Sequence, residues 1–425
     1  MKTLDQIAAE LQGYDPNALP ADAVDEFLAR LVEPVVQTER LCLFDALDRV
    51  LAEDLIAPLS VPPHDNSAMD GYAFAGAQLR AGQGLALRLV GTAYAGAAWQ
   101  GELDTGECVK IMTGAVMPAG LDTVVPVELT RFEGEFIQIP ADALRAGDNR
   151  RLLGEDLMAG QPALLAGSRI GPAALGLIAS LGLAEVTVRR RVRVAFFSTG
   201  DEILSLGQAP REGAVYDSNR YTLFGLLRRL GVELIDLGAV PDRADSLEAA
   251  FRQAARRADA VITSGGVSVG EADHTKAVMR RLGDMAFWRI AMRPGRPMAV
   301  GRLQQDGHSA LLFGLPGNPV AVMVTFLAFV RPALLRLMGA SQTQPLRVTA
   351  RSEQAMRKKP GRTEFQRGIA SRAADGSLQV RSTGSQGSGV LRSMAEANCL
   401  IRLDHDQGNV AIGDPVELLL FDGLI

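Results

Sequence analysis

The sequence predicts a multidomain α/β and β protein with a doubly wound α/β domain at its centre. Apolar strands alternate with helices from residue 191 to about residue 339, which is the pattern of a parallel sheet covered on both faces. Short alternating apolar runs between glycines, before and after that region, predict β-rich domains. The length of 425 residues is enough for about three domains.

The first part of the chain is expected to be helical. Residues 21–32 place Val24, Phe27, Leu28 and Leu31 on one helix face, and a second short helix is expected at 43–51. Three prolines between residues 57 and 64 predict a linker. Residues 155–190 predict a strand, a helix and a strand. Because this segment is short for a core of its own, we expect a discontinuous domain of residues 1–60 and 155–190.

The other domains are expected at 61–154 (β-rich), 191–339 (α/β) and 340–425 (β). In the α/β domain the apolar pattern predicts strands at 192–197, 232–237, 260–263, 286–291, 298–301 and 311–314, and helices at 218–230, 245–258, 273–282 and 319–338.

Composition excludes several classes of protein. A net charge of −5 disfavours a nucleic-acid partner. Cys42, Cys108 and Cys399 lie too far apart in sequence for a disulfide framework or a thiolate metal site. The start of the chain turns acidic within five residues, and the apolar stretch Pro319–Val330 is too short to span a bilayer. We therefore expect a cytoplasmic protein without a signal peptide or a membrane partner.

Ligands of open α/β sheets bind outside the carboxyl ends of the strands, and three such ends are unusual here. In Phe197-Ser-Thr-Gly-Asp-Glu, the last two residues supply adjacent carboxylates that suit Mg²⁺. The alternative is a polar turn in which the aspartate caps the next element. In Thr263-Ser-Gly-Gly-Val-Ser-Val-Gly-Glu-Ala-Asp, glycines and serines favour phosphate binding at a helix start over a plain tight turn.

The third strand end is Gly314-Leu-Pro-Gly-Asn-Pro, whose two prolines would hold backbone donors rigidly at the same edge. Arg289, Arg293 and Arg296 bracket a nearby Pro-Gly turn and could clamp an oxyanion. The alternatives are a stiff connection and solvated arginines. Elsewhere, the segments around Asp70, Thr113 and Asp156 carry no functional assignment alone. These residues together predict an enzyme or binding protein that holds a phosphorylated small molecule with Mg²⁺.

Six motifs in one order resemble the molybdopterin molybdenumtransferase family, which also supplies the C-terminal domain of gephyrin. They are Pro-Pro-His-Asp-Asn-Ser-Ala-Met-Asp-Gly-Tyr-Ala, Ile-Met-Thr-Gly-Ala-Val, Phe-Ser-Thr-Gly-Asp-Glu, Tyr-Asp-Ser-Asn, Thr-Ser-Gly-Gly-Val-Ser-Val-Gly-Glu-Ala-Asp and Leu-Pro-Gly-Asn-Pro-Val. The resemblance covers nearly the whole chain from about residue 20.

The resemblance implies an elongated homodimer with four domains per subunit, one of them a molybdopterin-binding α/β domain. The implied reaction inserts molybdate into adenylylated molybdopterin, with Mg²⁺-dependent cleavage of the pyrophosphate bond and release of AMP. Molybdopterin adenylyltransferase and acceptor molybdoenzymes are the further partners that it implies.

Matching motifs imply roles for individual residues. The catalytic set is Asp70, Thr113, Asp156, Glu202, Asp242 and Asp273. Within it, Glu202, Asp242 and Asp273 are expected to hold Mg²⁺. The expected substrate-binding set is Ser264, Gly265, Gly266, Ser268, Arg289, Arg293, Arg296, Pro316, Gly317, Asn318 and Ser388, and Arg362 is a further candidate for handling molybdate.

The chain departs from the family pattern at several of these positions. Arg293 and Arg296 stand where the family typically has lysines, and Ala321 stands where it often has serine. His64 and His274 replace aromatic residues. Two other functions stay open: a non-catalytic molybdopterin-binding scaffold, and the preceding molybdopterin adenylyltransferase.

We expect Asp273→Asn to abolish turnover, because the variant keeps the size of the side chain and removes one expected carboxylate ligand of Mg²⁺. The measurement is release of AMP from adenylylated molybdopterin with Mg²⁺ and molybdate present. Normal turnover in the variant would contradict the assignment of this residue.

Overall fold

The computed structural model describes residues 2–267 and 274–424. A six-stranded mixed sheet forms the centre of the molecule. Its strands lie in the order Glu233–Val240, Arg193–Thr199, Ala260–Ser264, His308–Leu315, Pro297–Gln305 and Gly283–Arg289. The first four are parallel to one another, so their carboxyl ends meet at one edge of the sheet.

The sheet is parallel, as expected, in its first three pairings, whereas the last two pairings are antiparallel. The loop between Pro297–Gln305 and His308–Leu315 contains only Asp306 and Gly307, with φ angles of 52° and 78°. Two consecutive positive φ angles in an Asp-Gly pair make the tight turn of a hairpin, which requires antiparallel strands.

Helices cover both faces of the central sheet, as the sequence predicts. Val194 and Phe196 face the helices Ser218–Leu230 and Pro319–Thr325. Ala195 and Phe197 face the other side, where the helices Ala244–Arg257 and His274–Leu282 pack. This alternation of buried residues explains why the strands are apolar on both faces.

One long apolar helix runs beneath the sheet in three consecutive segments. Pro319–Thr325 is α-helical, Phe326–Val330 is a π-helical segment and Arg331–Leu337 is α-helical again. Among the described residues, this helix alone is long and apolar enough to cross a membrane by length and composition. Because 83% of its apolar 18-residue stretch is buried inside the protein, this helix has the burial of a core helix.

The N-terminal segment packs on the central domain through the helices Leu4–Ala9 and Ala21–Leu31. The ring of Phe27 meets the ring of Trp288 edge-on, with centroids 4.9 Å apart. The indole Nε1 of Trp288 donates to Tyr14 Oη over 2.8 Å. The N-terminal segment is therefore fixed to the edge strand Gly283–Arg289.

The helix expected at 43–51 is wrong, since a short 3₁₀ turn, Leu43–Asp45, stands there instead. Asp48 adopts a φ of 63°, which a right-handed helix cannot contain. The neighbouring strands Thr38–Cys42 and Glu185–Arg189 pair antiparallel, as do Leu55–Ile56 and Pro162–Leu164, beside the helix Pro172–Ser180. The domain limits given above stay predictions.

Between these segments the chain forms a second six-stranded sheet. Its order is Thr123–Pro126, Gly71–Phe74, Glu107–Ile111, Leu85–Ala93, Phe136–Ile139 and Arg131–Glu133. Smaller elements complete the region: the paired strands Asn66–Ser67 and Arg150–Arg151, and the 3₁₀ turns Gly76–Gln78 and Val127–Leu129.

The C-terminal strands close into a small barrel. Its strands are Thr363–Arg372, Leu378–Ser382, Arg347–Ser352, Pro415–Leu420 and Cys399–Leu403, and the last pairs with the first. The helix Arg392–Glu396 lies beside them. Met292–Arg293 pairs in parallel with the start of Thr363–Arg372, which ties the central domain to the barrel.

We expect Phe27→Ala to lower the free energy of unfolding by about 3–5 kcal/mol, because it removes a fully buried ring from the contact with Trp288. Phe44→Ala is the matched control, since that ring is 98% exposed and its loss is expected to change stability by about 0.5 kcal/mol or less. Urea unfolding followed by tryptophan fluorescence measures both. Equal effects would contradict the packing described.

Candidate active site at the carboxyl edge of the central sheet

Four loops meet at the carboxyl edge of the central sheet. They follow the parallel strands that end at Thr199, Val240, Ser264 and Leu315. The edge strand Gly283–Arg289 runs in the same direction as these four, because two antiparallel pairings separate it from His308–Leu315. Four loops and the end of this edge strand therefore face one side of the domain.

A buried network of polar side chains lies under these loops. Ser198 Oγ donates to Asp217 Oδ1 over 2.8 Å and lies 3.0 Å from Ser264 Oγ. The same oxygen of Asp217 accepts from the backbone amide of Arg220, and so caps the helix Ser218–Leu230. The network therefore fixes the start of the helix Ser218–Leu230 and the end of the strand Ala260–Ser264.

Four buried polar atoms near this edge of the sheet have no hydrogen-bond partner in the part of the chain that the structure describes. They are Asp217 Oδ2, Asn219 Oδ1, Thr199 Oγ1 and Thr263 Oγ1. An unpaired buried polar group costs free energy, and native proteins keep few of them. The two threonine oxygens belong to the opposite face of the sheet, on the side of Phe197 and Val261. Asp217 Oδ2 and Asn219 Oδ1 lie beside the network and indicate a place for a polar ligand.

The glycine loop is held tightly against its surroundings. Gly265 and Gly266 have φ angles of 94° and 68°, and a Cβ on them would lie 2.4 Å from Thr199 O and 2.3 Å from Thr275 Oγ1. Only glycine fits both positions. The amide of Gly265 donates to Leu315 O over 3.1 Å and is thus engaged within the fold. That Gly265 and Gly266 bind substrate stays a prediction.

Two of the three carboxylates expected to hold Mg²⁺ lie within the described residues. Burial and the negative charges of Asp201 and Glu202 raise the pKa of Asp242. The electrostatic effect of His274 and the hydrogen bond that Thr275 Oγ1 donates over 3.5 Å act in the opposite direction. No three acids, histidines or cysteines of the described residues are close enough to hold a metal ion. Asp273 and Ser268 lie outside the described residues.

The Pro316-Gly317-Asn318 turn joins this network to the C-terminal barrel. Asn219 Nδ2 donates to Gly317 O over 2.7 Å, and Asn318 Nδ2 donates to Ser388 Oγ over 3.0 Å. Asn318 stands at the N-cap position of the following helix, but its side chain makes no capping bond. Ser388 O instead accepts from Val320 N over 3.1 Å.

The turn from Arg293 to Arg296 rests on the same helix. A Cβ on Gly295 would lie 2.4 Å from Thr325 Oγ1, which measures how closely the turn packs there. Both arginines are exposed, as is Arg289 at the end of its strand. Arg362 lies in an ion pair with Glu364 at 2.7 Å, so its charge is already balanced.

The expected acids outside the central domain form a separate group. Asp70 Oδ1 accepts from the amide of Thr113 over 2.7 Å and from its hydroxyl over 2.8 Å, which lowers the pKa of Asp70. Asp156 is exposed, and its amide donates to Val61 O. Within the described residues, no hydrogen bond or ion pair joins these side chains to Glu202 or Asp242.

Asp217 and Asn219 belong to the candidate site although neither was expected there. Both belong to the Tyr-Asp-Ser-Asn motif, which is one of the six motifs that carry the family resemblance. A signal was available, because two polar residues two positions apart at a helix start, both available for burial, exceed what one cap needs.

Three protein-family models together match most of the chain. Residues 20–182 match the family model "MoeA N-terminal region (domain I and II)", residues 195–336 match "Probable molybdopterin binding domain", and residues 349–421 match "MoeA C-terminal region (domain IV)".

Named relatives agree with these matches. The molybdopterin molybdenumtransferase of Haemophilus influenzae is 40% identical over 95% of this chain and 99% of its own length. That of Bacillus subtilis is 33% identical over 93% of each chain. The crystal structure of the molybdopterin biosynthesis protein moeA from Pyrococcus horikoshii superposes with a TM-score of 0.79 at 26% identity, covering 95% of this chain and all of the other.

The identities, the coverage and the shared architecture together lead to one assignment. The chain belongs to the molybdopterin molybdenumtransferase family, and is thus a transferase of molybdenum cofactor biosynthesis.

Proposed function

We propose that the chain inserts molybdenum from molybdate into adenylylated molybdopterin, cleaving the pyrophosphate bond in a Mg²⁺-dependent step and releasing AMP. The observation that carries this proposal is the set of unpaired buried atoms at the carboxyl edge of the central sheet. A pterin ring presents N–H donors, and Asp217 Oδ2 and Asn219 Oδ1 are acceptors without a donor. A bound pterin would satisfy them.

Glu202 and Asp242 would hold Mg²⁺ beside these unpaired acceptors, with Asp273 as the third ligand that the resemblance implies. Carboxylate oxygens are the ligands that this ion prefers. The burial and like charges that raise the pKa of Asp242 favour a nearby cation, which would offset both. When bound, the ion supplies neutralisation of charge on phosphoryl oxygens.

The groups that would receive molybdate lie on the other side of the Pro316-Gly317-Asn318 turn. The hydrogen bond from Asn318 Nδ2 to Ser388 Oγ holds these two side chains in place. The turn from Arg293 to Arg296 adds two exposed guanidinium groups. Because molybdate carries two negative charges, paired guanidinium forks suit it. Arginine in place of the usual lysine keeps this charge and changes the reach of the side chain.

Asp70, Thr113 and Asp156 would join the site from a second copy of the chain. Within one chain they make no described bond to the carboxyl edge, although the Asp70–Thr113 pair is preorganised by two hydrogen bonds. We therefore include the homodimer in the proposal, with each site built from two subunits.

The test follows free AMP after adenylylated molybdopterin is mixed with the purified protein. We expect release that needs both Mg²⁺ and molybdate, and a loss of about a hundredfold or more in Glu202→Gln, since one metal ligand is removed. Glu233→Gln is the control, because that exposed side chain begins its strand at the opposite edge of the sheet.

Other results would contradict the proposal in distinct ways. Tight binding of the substrate without AMP release would favour the scaffold, and consumption of ATP with molybdopterin would favour the adenylyltransferase. Equal losses in Glu202→Gln and Glu233→Gln would remove the assignment of the metal site.

We also expect two inactive variants to complement each other. Mixing Asp70→Ala with Glu202→Gln and exchanging subunits should restore up to about a quarter of the wild-type AMP release, because half of the dimers are mixed and each mixed dimer holds one intact site. Asp242→Asn mixed with Glu202→Gln is the control, since these lie on the same half-site and should not restore activity. Failure of the first pair, with subunit exchange verified, would place both residues in one subunit's site.

A further inference from the structure

A cavity of 660 Å³ lies where three parts of the chain meet. The segment around Gly167 forms one wall, the helix Arg331–Leu337 forms the second, and residues 340–348 with the end of the barrel form the third. Arg331 lies roughly 18 Å along the long apolar helix from Pro319, so the cavity is separate from the carboxyl edge of the central sheet. Its volume is within the range of about 300–1,000 Å³ that holds organic ligands.

The walls of this cavity are bonded to each other. Ser341 N donates to Gly167 O over 2.9 Å, and Ser341 Oγ donates to the same oxygen over 3.2 Å. Gly167 has a φ of 82°, and a Cβ there would lie 3.1 Å from Gly339 O. The cavity is therefore preformed, which lowers the entropy that a ligand must lose on binding.

Apolar side chains form much of the wall. Leu335 belongs to the helix, Leu420 ends a strand of the barrel, and Leu346 and Val348 belong to the segment between them. Leu346 stands 84% exposed, so a bound molecule would remove its apolar surface from water. This lining suits a ligand with an apolar body rather than a bare inorganic ion.

One guanidinium group in the wall lacks a counter-charge. Arg331 is half-buried, and among the described residues its only hydrogen bond runs from Nη2 to Gly423 O over 3.3 Å. Burial and the charge of Arg169 lower the pKa of Arg331. Because both effects disfavour the cation, an anion beside Arg331 would offset them.

The other charges in the wall favour a ligand with one negative charge over a dianion. Arg169 already pairs with Asp48, with 3.1 Å between Nη2 and Oδ1. Asp422 also lines the cavity, and its side chain is exposed. The carboxylate of Asp422 would repel a dianion more strongly than a monoanion.

We propose that this cavity binds an organic monocarboxylate with an apolar body, whose carboxylate pairs with Arg331 and whose body lies against Leu335, Leu346 and Leu420. A guanidinium fork can donate two parallel hydrogen bonds to a carboxylate, which fixes the orientation of the ligand. This inference does not depend on the proposed function, because the two sites share no residue.

The test is calorimetric titration of the full chain with 1-naphthoate, an aromatic monocarboxylate, and with 1-naphthamide, its uncharged analogue. We expect the amide to bind about tenfold to a hundredfold more weakly, and Arg331→Gln to weaken naphthoate binding by a similar factor, since each removes a charged hydrogen bond. Naphthoate should also raise the Tm of the wild-type protein, because a ligand of the folded state stabilises it.

Arg336→Gln is the matched control. Arg336 lies on the same helix and is also half-buried, but it does not line the cavity, so we expect its loss to leave the affinity unchanged. Equal losses in Arg331→Gln and Arg336→Gln would mean that general surface charge attracts the ligand, and the proposal would be wrong.

Leu346→Asp is a second variant, which should fold normally because the side chain is exposed. It removes an apolar contact and adds a negative charge at the rim, so we expect naphthoate to bind at least about fivefold more weakly. An unchanged affinity would contradict the position proposed for the apolar body.

Further outcomes would overturn the proposal. Equal binding of naphthoate and naphthamide would exclude a carboxylate site, and competition by inorganic phosphate at a similar affinity would exclude the need for an apolar body. Neither heat nor a shift in Tm at about 10 mM naphthoate would mean that the cavity holds no such ligand. Binding that appears only after removal of Ile425, which lies outside the described residues, would assign the cavity to the chain itself.

Discussion

The common direction of four neighbouring strands is the constraint on which the rest of the structure depends. Because Arg193–Thr199, Glu233–Val240, Ala260–Ser264 and His308–Leu315 are parallel, their following loops must all lie at one edge. The apolar strands stop there and buried polar side chains begin. Ser198, Ser264 and Asp217 satisfy one another in part, and the neighbouring atoms Asp217 Oδ2 and Asn219 Oδ1 have no partner among the described residues. The fold thus leaves unpaired polar groups at this edge, which a bound ligand would satisfy.

The second part of the site is built from two domains that are distant in sequence. Ser388 of the barrel caps the helix that begins at Pro319, and Met292–Arg293 adds a short strand to the barrel. These two contacts fix the arginine turn between the central sheet and the barrel. The charge of Arg367 is buried where the two domains meet, and burial together with the charge of Arg293 lowers its pKa to about 10.

Sequence periodicity predicted the elements whose burial repeats regularly. The helices Ala21–Leu31 and Ser218–Leu230 and the strands of the central sheet follow from their apolar spacing. The expectations failed where a single backbone angle, or a contact with a residue distant in the chain, determines the local structure. Asp48 replaces a helix by a short turn, and the Asp-Gly turn at 306–307 reverses a strand. The bond from Gly265 to Leu315 and the missed role of Asn219 both depend on contacts between segments far apart in the chain.

The structure of the protein with adenylylated molybdopterin bound, determined without molybdate so that the ligand stays intact, tests the account most directly. The account predicts that the pterin lies at the carboxyl edge of the central sheet, with its N–H groups within hydrogen-bond distance of Asp217 Oδ2 and Asn219 Oδ1. A pterin bound elsewhere, such as in the 660 Å³ cavity lined by Arg169 and Arg331, would contradict it.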